Sequence, residues 1–348
     1  MNKRKTIIII ALCLSLFVLF FVALFVGSSK MSIIDACKAL FLKSSEANNR
    51  IIYRIRLPRI LAATVVGASL ALAGLIMQTT LNNPMASPST LGISNAAVFG
   101  ANLSIIIASG GFLSLGGNLQ NYVTTQTPFN TSLFAFLFSL VAIIIILLLS
   151  AINKISSTTL ILSGIALGAV WTALTTLLQF FASDVGISSS FIWSFGDLSR
   201  ATYQTDLIIS IIFIVCFITS ILLWSRFNLL LSGEKIAKSS GLNLRTFRII
   251  ALVMASLLTA AAVSFFGIIG FIGIIASATM KRLIGYNHKI LIPATAIFGS
   301  VILLLADIIS RTISNGLNLP VGAITSLIGA PFFLIIILRK KEFDHARN

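Results

Sequence analysis

The stretch RLPRILAATVVGASLALAGLIMQTTLNNPMASPSTLG, residues 56–92, decides the fold of this chain. It opens with two arginines around a Leu-Pro pair and ends in a polar, proline-containing turn. The apolar run between them follows neither a helical stripe nor strand alternation, and its length of about twenty residues is what a helix needs to cross a bilayer. Small residues, which let a neighbouring backbone approach closely, recur along it. We therefore predict a transmembrane helix with partner contacts at the arginine end and gating at the polar end.

The composition of the whole chain indicates an all-α polytopic membrane protein. Of its 348 residues, 57% are hydrophobic and 10% are charged, and the mean hydropathy is +1.04. A soluble domain carries about 25% charged residues. The apolar blocks are long enough for helices rather than for barrel strands, and they continue evenly from end to end. We therefore predict a single transmembrane domain over residues 1–348.

Apolar blocks of suitable length predict about ten transmembrane helices. One longer apolar run, 249–280, lies between Arg248 and Lys281 and would overshoot the bilayer as a single helix at about 1.5 Å per residue. A tight hairpin turning near 266–270 would keep both basic flanks on the same side. The blocks are 7–27, 58–80, 91–108, 131–151, 159–181, 206–225, 249–265, 268–283, 290–309 and 321–338.

The distribution of charge indicates the orientation in the membrane. The net charge is +16, but the basic residues sit in short loops rather than in a patch for nucleic acid. This is the positive-inside pattern, and it predicts a multi-pass protein of the plasma or inner membrane with both termini cytoplasmic. The loop 28–57 is basic although the alternation places it outside, and an acidic partner outside is the simplest reason.

The sequence lacks the residue patterns that are typical of several functional classes. None of the nine acidic residues falls at the middle of a predicted span, whereas ion-coupled transporters keep an ionisable group there. The chain has no phosphate-binding P-loop, no catalytic constellation and no metal-ligating cluster, and its three cysteines form no disulfide framework. We therefore predict a transport subunit that is not an enzyme and binds no cofactor. A secondary, ion-coupled transporter and an intramembrane enzyme are the alternatives.

The segment 226–248 is the longest predicted cytoplasmic excursion. Residues 232–240 predict a short helix, with Ser232 as its cap, Glu234 in its first turn and Gly241 as its terminator. A short helix under the membrane would be a docking surface. The alternative is a solvated basic connector.

The order of five segments resembles the FecCD family of permeases, the membrane subunits of type II ABC importers for iron-siderophores, haem and cobalamin. The resemblance implies the type II importer permease fold, in a homodimer or in a heterodimer with a paralogue. It also implies two partners, a cytoplasmic ATPase that binds ATP and Mg²⁺ and an extracytoplasmic binding protein. The implied cargo is a bulky iron chelate, with a ferric siderophore as the first candidate and haem or cobalamin as alternatives. The segments are RLPRILAATVVGASLALAGLIMQTTLNNPMASPSTLGIS (56–94), STTLILSGIALG (157–168), LSGEKIAKSSGL (231–242), GIIGFIGII (267–275) and LPVGAITSLIGAPFFL (319–334).

By motif match, Arg56, Arg59 and Arg311 correspond to the family's outer cations that receive glutamates of the binding protein. A guanidinium offers a fork of donors suited to a carboxylate. The motif match and the predicted topology both place these side chains at the outer surface. Contact with lipid phosphates is the alternative for Arg56 and Arg59.

Two further sets follow from the resemblance. The ATPase-coupling positions are Gly233, Glu234, Ala237 and Gly241. The candidate gate residues of the translocation path are Asn83, Met85, Ser157 and Thr158. Two copies of the gate set could close a pore by apolar and hydrogen-bonded contact. Ordinary helix capping by Asn83 and Ser157 is the alternative.

Overall fold

The computed structural model describes residues 3–27, 31–41, 44–108, 128–151, 157–313 and 319–345. Within these residues the regular secondary structure is helical, apart from one isolated bridge between Phe195 and Ile268. The predicted all-α architecture is therefore confirmed. Most of the predicted outer loop 109–130 and of the predicted inner loop 152–158 lies outside the described residues.

Each of the ten predicted apolar blocks coincides with one helix. Within the described residues, eight shorter helical segments lie between them, among them a π-helix at Ile51–Arg56 that runs directly into the next helix. In chain order the α-helices are α1 (Lys3–Phe25), α2 (Ile33–Leu40), α3 (Glu46–Arg50), α4 (Leu57–Thr80), α5 (Ile93–Ala108), α6 (Pro128–Ala151), α7 (Ser157–Phe180), α8 (Asp184–Ser194), α9 (Tyr203–Leu222), α10 (Trp224–Leu231), α11 (Glu234–Ser239), α12 (Leu244–Phe266), α13 (Ile272–Ile284), α14 (His288–Thr312) and α15 (Val321–His345).

The helices differ in their ability to cross a membrane. In the described part of the chain, seven are long and apolar enough: α1, the continuous segment Glu46–Thr80, α6, α7, α9, α12 and α14. Helix α5 and the apolar part of α15, Val321–Ile335, are shorter. Helix α13 has 13 residues and rises only about 20 Å, less than the ~30 Å of a bilayer core. The predicted block 268–283 therefore forms a helix, but one too short to span alone.

The helix break predicted near residues 266–270 is present. Helix α12 ends at Phe266, and Gly267 follows with a φ of 76°, which a glycine adopts without strain. Phe271 has a φ of 65° immediately before α13 begins. The backbone thus leaves the helical conformation between these two residues, as the sequence predicts.

The chain forms two compact units, and the prediction of a single domain stays a prediction. The first unit contains Met1–Leu75, Asp197–Asn228 and Ile269–Asn348. In it α4 packs against α14 with almost no side chain between the backbones: a Cβ added to Gly67 would lie 2.5 Å from the carbonyl oxygen of Gly299. Ser300 Oγ donates across this contact to the carbonyl of Thr64 at 2.7 Å. The small residues of α4 therefore serve the close approach that the sequence predicts.

The second unit contains Ile76–Gly196 and Leu229–Ile268. Helix α5 lies at its centre, against α6, α7 and α12. An aromatic cluster of Phe99, Phe138 and Trp171, with ring centroids 5.0–6.0 Å apart, joins α5, α6 and α7.

Candidate functional site

The three predicted docking arginines form one cluster in the first unit. Arg56 closes the π-helix, Arg59 lies in the first turn of α4, and Arg311 lies in the last turn of α14. Their exposed fractions are 3%, 3% and 5%. The expectation that they lie at the surface is therefore wrong. Their docking role stays a prediction, and any partner has to reach guanidinium groups that are already engaged.

Asp307 is the carboxylate of this cluster. Arg59 Nε donates to Asp307 Oδ1 at 2.7 Å, and Arg311 Nη2 lies 2.9 Å from Asp307 Oδ2. The Asp307 side chain is fully buried. Two guanidinium groups thus share one carboxylate, which leaves an excess positive charge in a region that excludes water.

The end of α1 supplies the other acceptors. Arg56 Nη1 donates to the carbonyls of Leu24 and Phe25, and Arg311 Nη1 donates to those of Ala23, at 3.2 Å, and Val26, at 3.3 Å. The last carbonyls of a helix lack intrahelical partners and carry the negative end of the helix dipole, so cations stabilise them. Arg56 and Arg311 therefore cap α1 from two different helices.

Arg59 keeps unused donor capacity. Its Nε is bound to Asp307, and its Nη2 makes a long bond of 3.4 Å to Ser310 Oγ. Within the described residues its Nη1 makes no hydrogen bond. A guanidinium presents five N–H donors in a planar fork, so Arg59 has N–H groups that Asp307 and Ser310 do not use.

The predicted coupling helix is present as α11, one turn and a half long. Its N-terminal cap position is occupied by Gly233, so the predicted cap Ser232 is wrong by one residue. The predicted terminator Gly241 is confirmed: it has a φ of 81°, its N–H donates to the Lys238 carbonyl, and the Leu242 N–H donates to the Ala237 carbonyl. This pair of bonds is the Schellman motif that ends many helices.

Two contacts hold α11 in place within the second unit. Ala237 is fully buried. Glu234 Oε1 forms an ion pair of 2.5 Å with Arg248 Nη2, in the second turn of α12. The four predicted coupling positions therefore comprise two turn glycines, one packing contact and one ion-paired carboxylate; their role towards an ATPase stays a prediction.

The gate candidates at the end of α4 form a compact turn. Asn82, with a φ of 45°, ends the helix, and Asn83 Oδ1 accepts a hydrogen bond of 2.8 Å from the Met85 N–H. The Asn83 side chain thus closes a turn instead of capping a helix start. Met85 is 50% exposed and free to project.

The second pair of gate candidates lies at the start of α7. Ser157 is the first residue of this helix, so the cap position falls on residue 156, outside the described residues. Thr158 is exposed. Gating by either pair stays a prediction.

A groove in the second unit was missed in the sequence. It has a volume of about 650 Å³, and it is lined by hydroxyl and amide groups of α5, α7 and the 3₁₀ turn Ser89–Leu91 together with aliphatic side chains of α7. Asn95 Nδ2 donates to the Gly168 carbonyl at 3.1 Å and to Thr172 Oγ1 at 3.0 Å. Its signal was available, because asparagine and threonine are uncommon in lipid-facing helices and usually face protein or water.

Comparison with known sequences identifies the family. The profile of the FecCD transport family matches residues 15–339. This chain belongs to the FecCD transport family. Every segment quoted for the resemblance lies within the matched residues.

Two relatives of this chain are described as transporter permeases. An ABC transporter permease protein of Methanocaldococcus jannaschii is 40% identical over 338 residues, which cover 97% of this chain and 96% of that protein. The hemin transport system permease protein of Yersinia pestis is 34% identical over 333 residues, 95% of this chain and 96% of that protein. The chain is therefore the membrane permease of an ABC importer.

A solved structure supports the same fold. A transporter described as of the metal-chelate ABC type, in an inward-facing conformation, superposes with a TM-score of 0.80 at 27% identity. The match covers 96% of this chain and 99% of that chain. The type II importer permease fold predicted from the sequence is thereby confirmed.

Proposed function

We propose that this permease carries a metal chelate into the cytoplasm, with a ferric siderophore as the first candidate. The observation that carries the proposal is the match along nearly the whole chain to a transporter described as of the metal-chelate type. The relative named for hemin supports haem as the alternative cargo. Cobalamin is the other alternative.

The groove between α5 and α7 fits such a cargo. Its lining of hydroxyl, amide and aliphatic groups contains no charged side chain, and its 650 Å³ lies in the range of pockets that hold small molecules. An uncharged, hydrogen-bonding wall can let a bulky chelate slide, because no strong ion pair has to be broken at each step. Asn83, Met85, Ser157 and Thr158 would close the path at the cytoplasmic side.

Energy and delivery would come from other chains. A cytoplasmic ATPase, which binds ATP and Mg²⁺, would grip α11 at Gly233, Glu234, Ala237 and Gly241. An extracytoplasmic binding protein would present acidic side chains to the cluster of Arg56, Arg59 and Arg311, which has excess positive charge. A second permease, identical or paralogous, would complete the path, and both termini would be cytoplasmic.

Reconstitution tests this proposal. The permease is incorporated into proteoliposomes with and without its ABC ATPase, its binding protein is added outside, and uptake of ferrichrome, haemin and cyanocobalamin is measured. We expect uptake that requires ATP hydrolysis and favours ferrichrome. Preference for haemin or cyanocobalamin would change the cargo only. Uptake by the chain alone, driven by a proton or sodium gradient, would show a secondary transporter and refute the proposal.

A further inference from the structure

Helix α11 sits between two glycine turns that no neighbouring side chain packs against. Gly233 and Gly241 have φ angles of 108° and 81°, and a Cβ added at either position would meet no atom within 4 Å. Glycine in open space can change its backbone angles at little cost. A push on α11 would therefore be absorbed by rotation at these two turns unless another contact fixed the helix.

Two contacts fix it: the packing of the buried Ala237 and the ion pair between Glu234 and Arg248, which joins α11 to a side chain of α12. Glu234 is the first residue of α11, next to the turn at Gly233, and Arg248 belongs to α12. The Arg248 side chain is 22% exposed and that of Glu234 is 58% exposed. The pair therefore lies at the surface of the unit, with the arginine more buried than the glutamate. The pair ties the N-terminal end of α11 to α12, and this is the end that is farther from α12 in the sequence.

Helix α12 is suited to carry a displacement without bending. Its residues Leu252, Ala255 and Leu258 are at most 1% exposed, and it packs along α5 and α6. Close-packed interiors are poorly compressible and transmit strain. From Arg248 to Phe266 the helix rises about 27 Å.

The far end of α12 is in tight contact with the segment that follows α8. A Cβ added to Gly267 would lie 2.6 Å from the carbonyl oxygen of Trp193, and Ile268 forms a backbone bridge with Phe195. Val263 and Trp193 share one buried cluster. A shift of α12 along its axis would therefore move this crossing of two non-helical segments.

We propose that the Glu234–Arg248 ion pair is the joint through which force on α11 reaches α12, and that Arg248 is a positioning residue of the transport cycle. The proposal rests on the proposed function, in which an ATPase grips α11. Without the pair, only the packing of Ala237 opposes rotation of α11 at its glycine turns, so ATP is hydrolysed with less movement of α12.

The test compares four variants in proteoliposomes that contain the permease and its ATPase: Glu234→Gln, Arg248→Gln, the charge reversal Glu234→Arg with Arg248→Glu, and Glu46→Gln. ATP hydrolysis and ferrichrome uptake are measured in the same vesicles, and the readout is uptake per ATP. Each single variant is expected to lower this ratio about twofold to fivefold, the population change expected for a partly exposed ion pair. The double variant is expected to restore it to within about twofold, because the pair is re-formed with opposite polarity.

Glu46→Gln is the matched control. It removes a carboxylate from another exposed glutamate–arginine pair, Glu46 with Arg50, and is expected to keep the wild-type ratio. Thermal stability of each purified variant separates uncoupling from misfolding, since only the ratio should move.

The outcomes are distinct. If the wild-type complex shows no ATP-driven uptake, the proposed function fails. If the wild type transports but both single variants keep its ratio, the joint is refuted. A defect in Glu234→Gln alone, or a double variant as impaired as the single ones, would mean that the two residues act separately, and would also overturn the inference.

Discussion

Replacing Asp307 by asparagine removes the carboxylate that two buried arginines share. The side chains of Arg59 and Arg311 are each 4% exposed, and that of Asp307 is not exposed. Removing one partner of a buried ion pair costs about 3–5 kcal/mol, because a charge stays buried without compensation. Asp307→Asn should therefore destabilise the folded protein by about that amount. Arg59→Met should cost less, about 1.5–3 kcal/mol, since it leaves a balanced pair of Arg311 and Asp307.

The assay is the rate of irreversible unfolding in detergent at several temperatures, followed by size-exclusion chromatography, because large membrane proteins seldom refold. Asp184→Asn is the control: Asp184 is exposed in the first turn of α8, so its loss should change stability by no more than about 0.5 kcal/mol. The expected order of unfolding rates is Asp307→Asn, then Arg59→Met, then Asp184→Asn. An Asp307→Asn variant as long-lived as the control would refute the reasoning that the cluster is held by this carboxylate.

Three further substitutions have defined outcomes. Gly299→Val should abolish folded protein in a yield measurement, since a Cβ there would already lie 2.4 Å from the Gly67 carbonyl oxygen; normal yield would show that α4 and α14 do not touch. Gly267→Ala should lower the unfolding temperature more than Gly241→Ala, because both have a left-handed φ but only the first meets a backbone carbonyl; equal losses would contradict this. Asn95→Ala should slow ferrichrome uptake at a stability cost of about 1 kcal/mol, and unchanged uptake would exclude the groove from the path.

Hydropathy alone located the ten principal helices, because bilayer thickness fixes both the length and the composition of a span. The turn after Phe266 followed from the same constraint, since one helix over 249–280 would have been too long. Gly241 followed from the backbone conformation that helix ends require. These features depend on local chemistry, which the sequence displays directly.

The arginine cluster could not be predicted in the same way. Arg59 and Asp307 are 248 residues apart, and nothing local indicates that they meet. The spacing of Asp307 and Arg311, four residues on one helix, is the signal that could have placed one ion pair. The pair of Glu234 and Arg248 joins two helices across a turn, so no periodicity reveals it. Burial of the three arginines depends on how α1 packs, and its uniform apolar surface does not encode a face.

The capping of α1 by Arg311 has a consequence for biogenesis. Val26 leaves the ribosome 285 residues before the arginine that binds its carbonyl. At about 5–20 residues per second, this interval is roughly 15–60 s. Arg56 follows Leu24 by 32 residues and can bind the end of α1 early, whereas the Ala23 and Val26 carbonyls wait for nearly all of translation before Arg311 can bind them. Nascent chains released in that interval lack the bonds to Ala23 and Val26 and have only those that Arg56 makes to the end of α1.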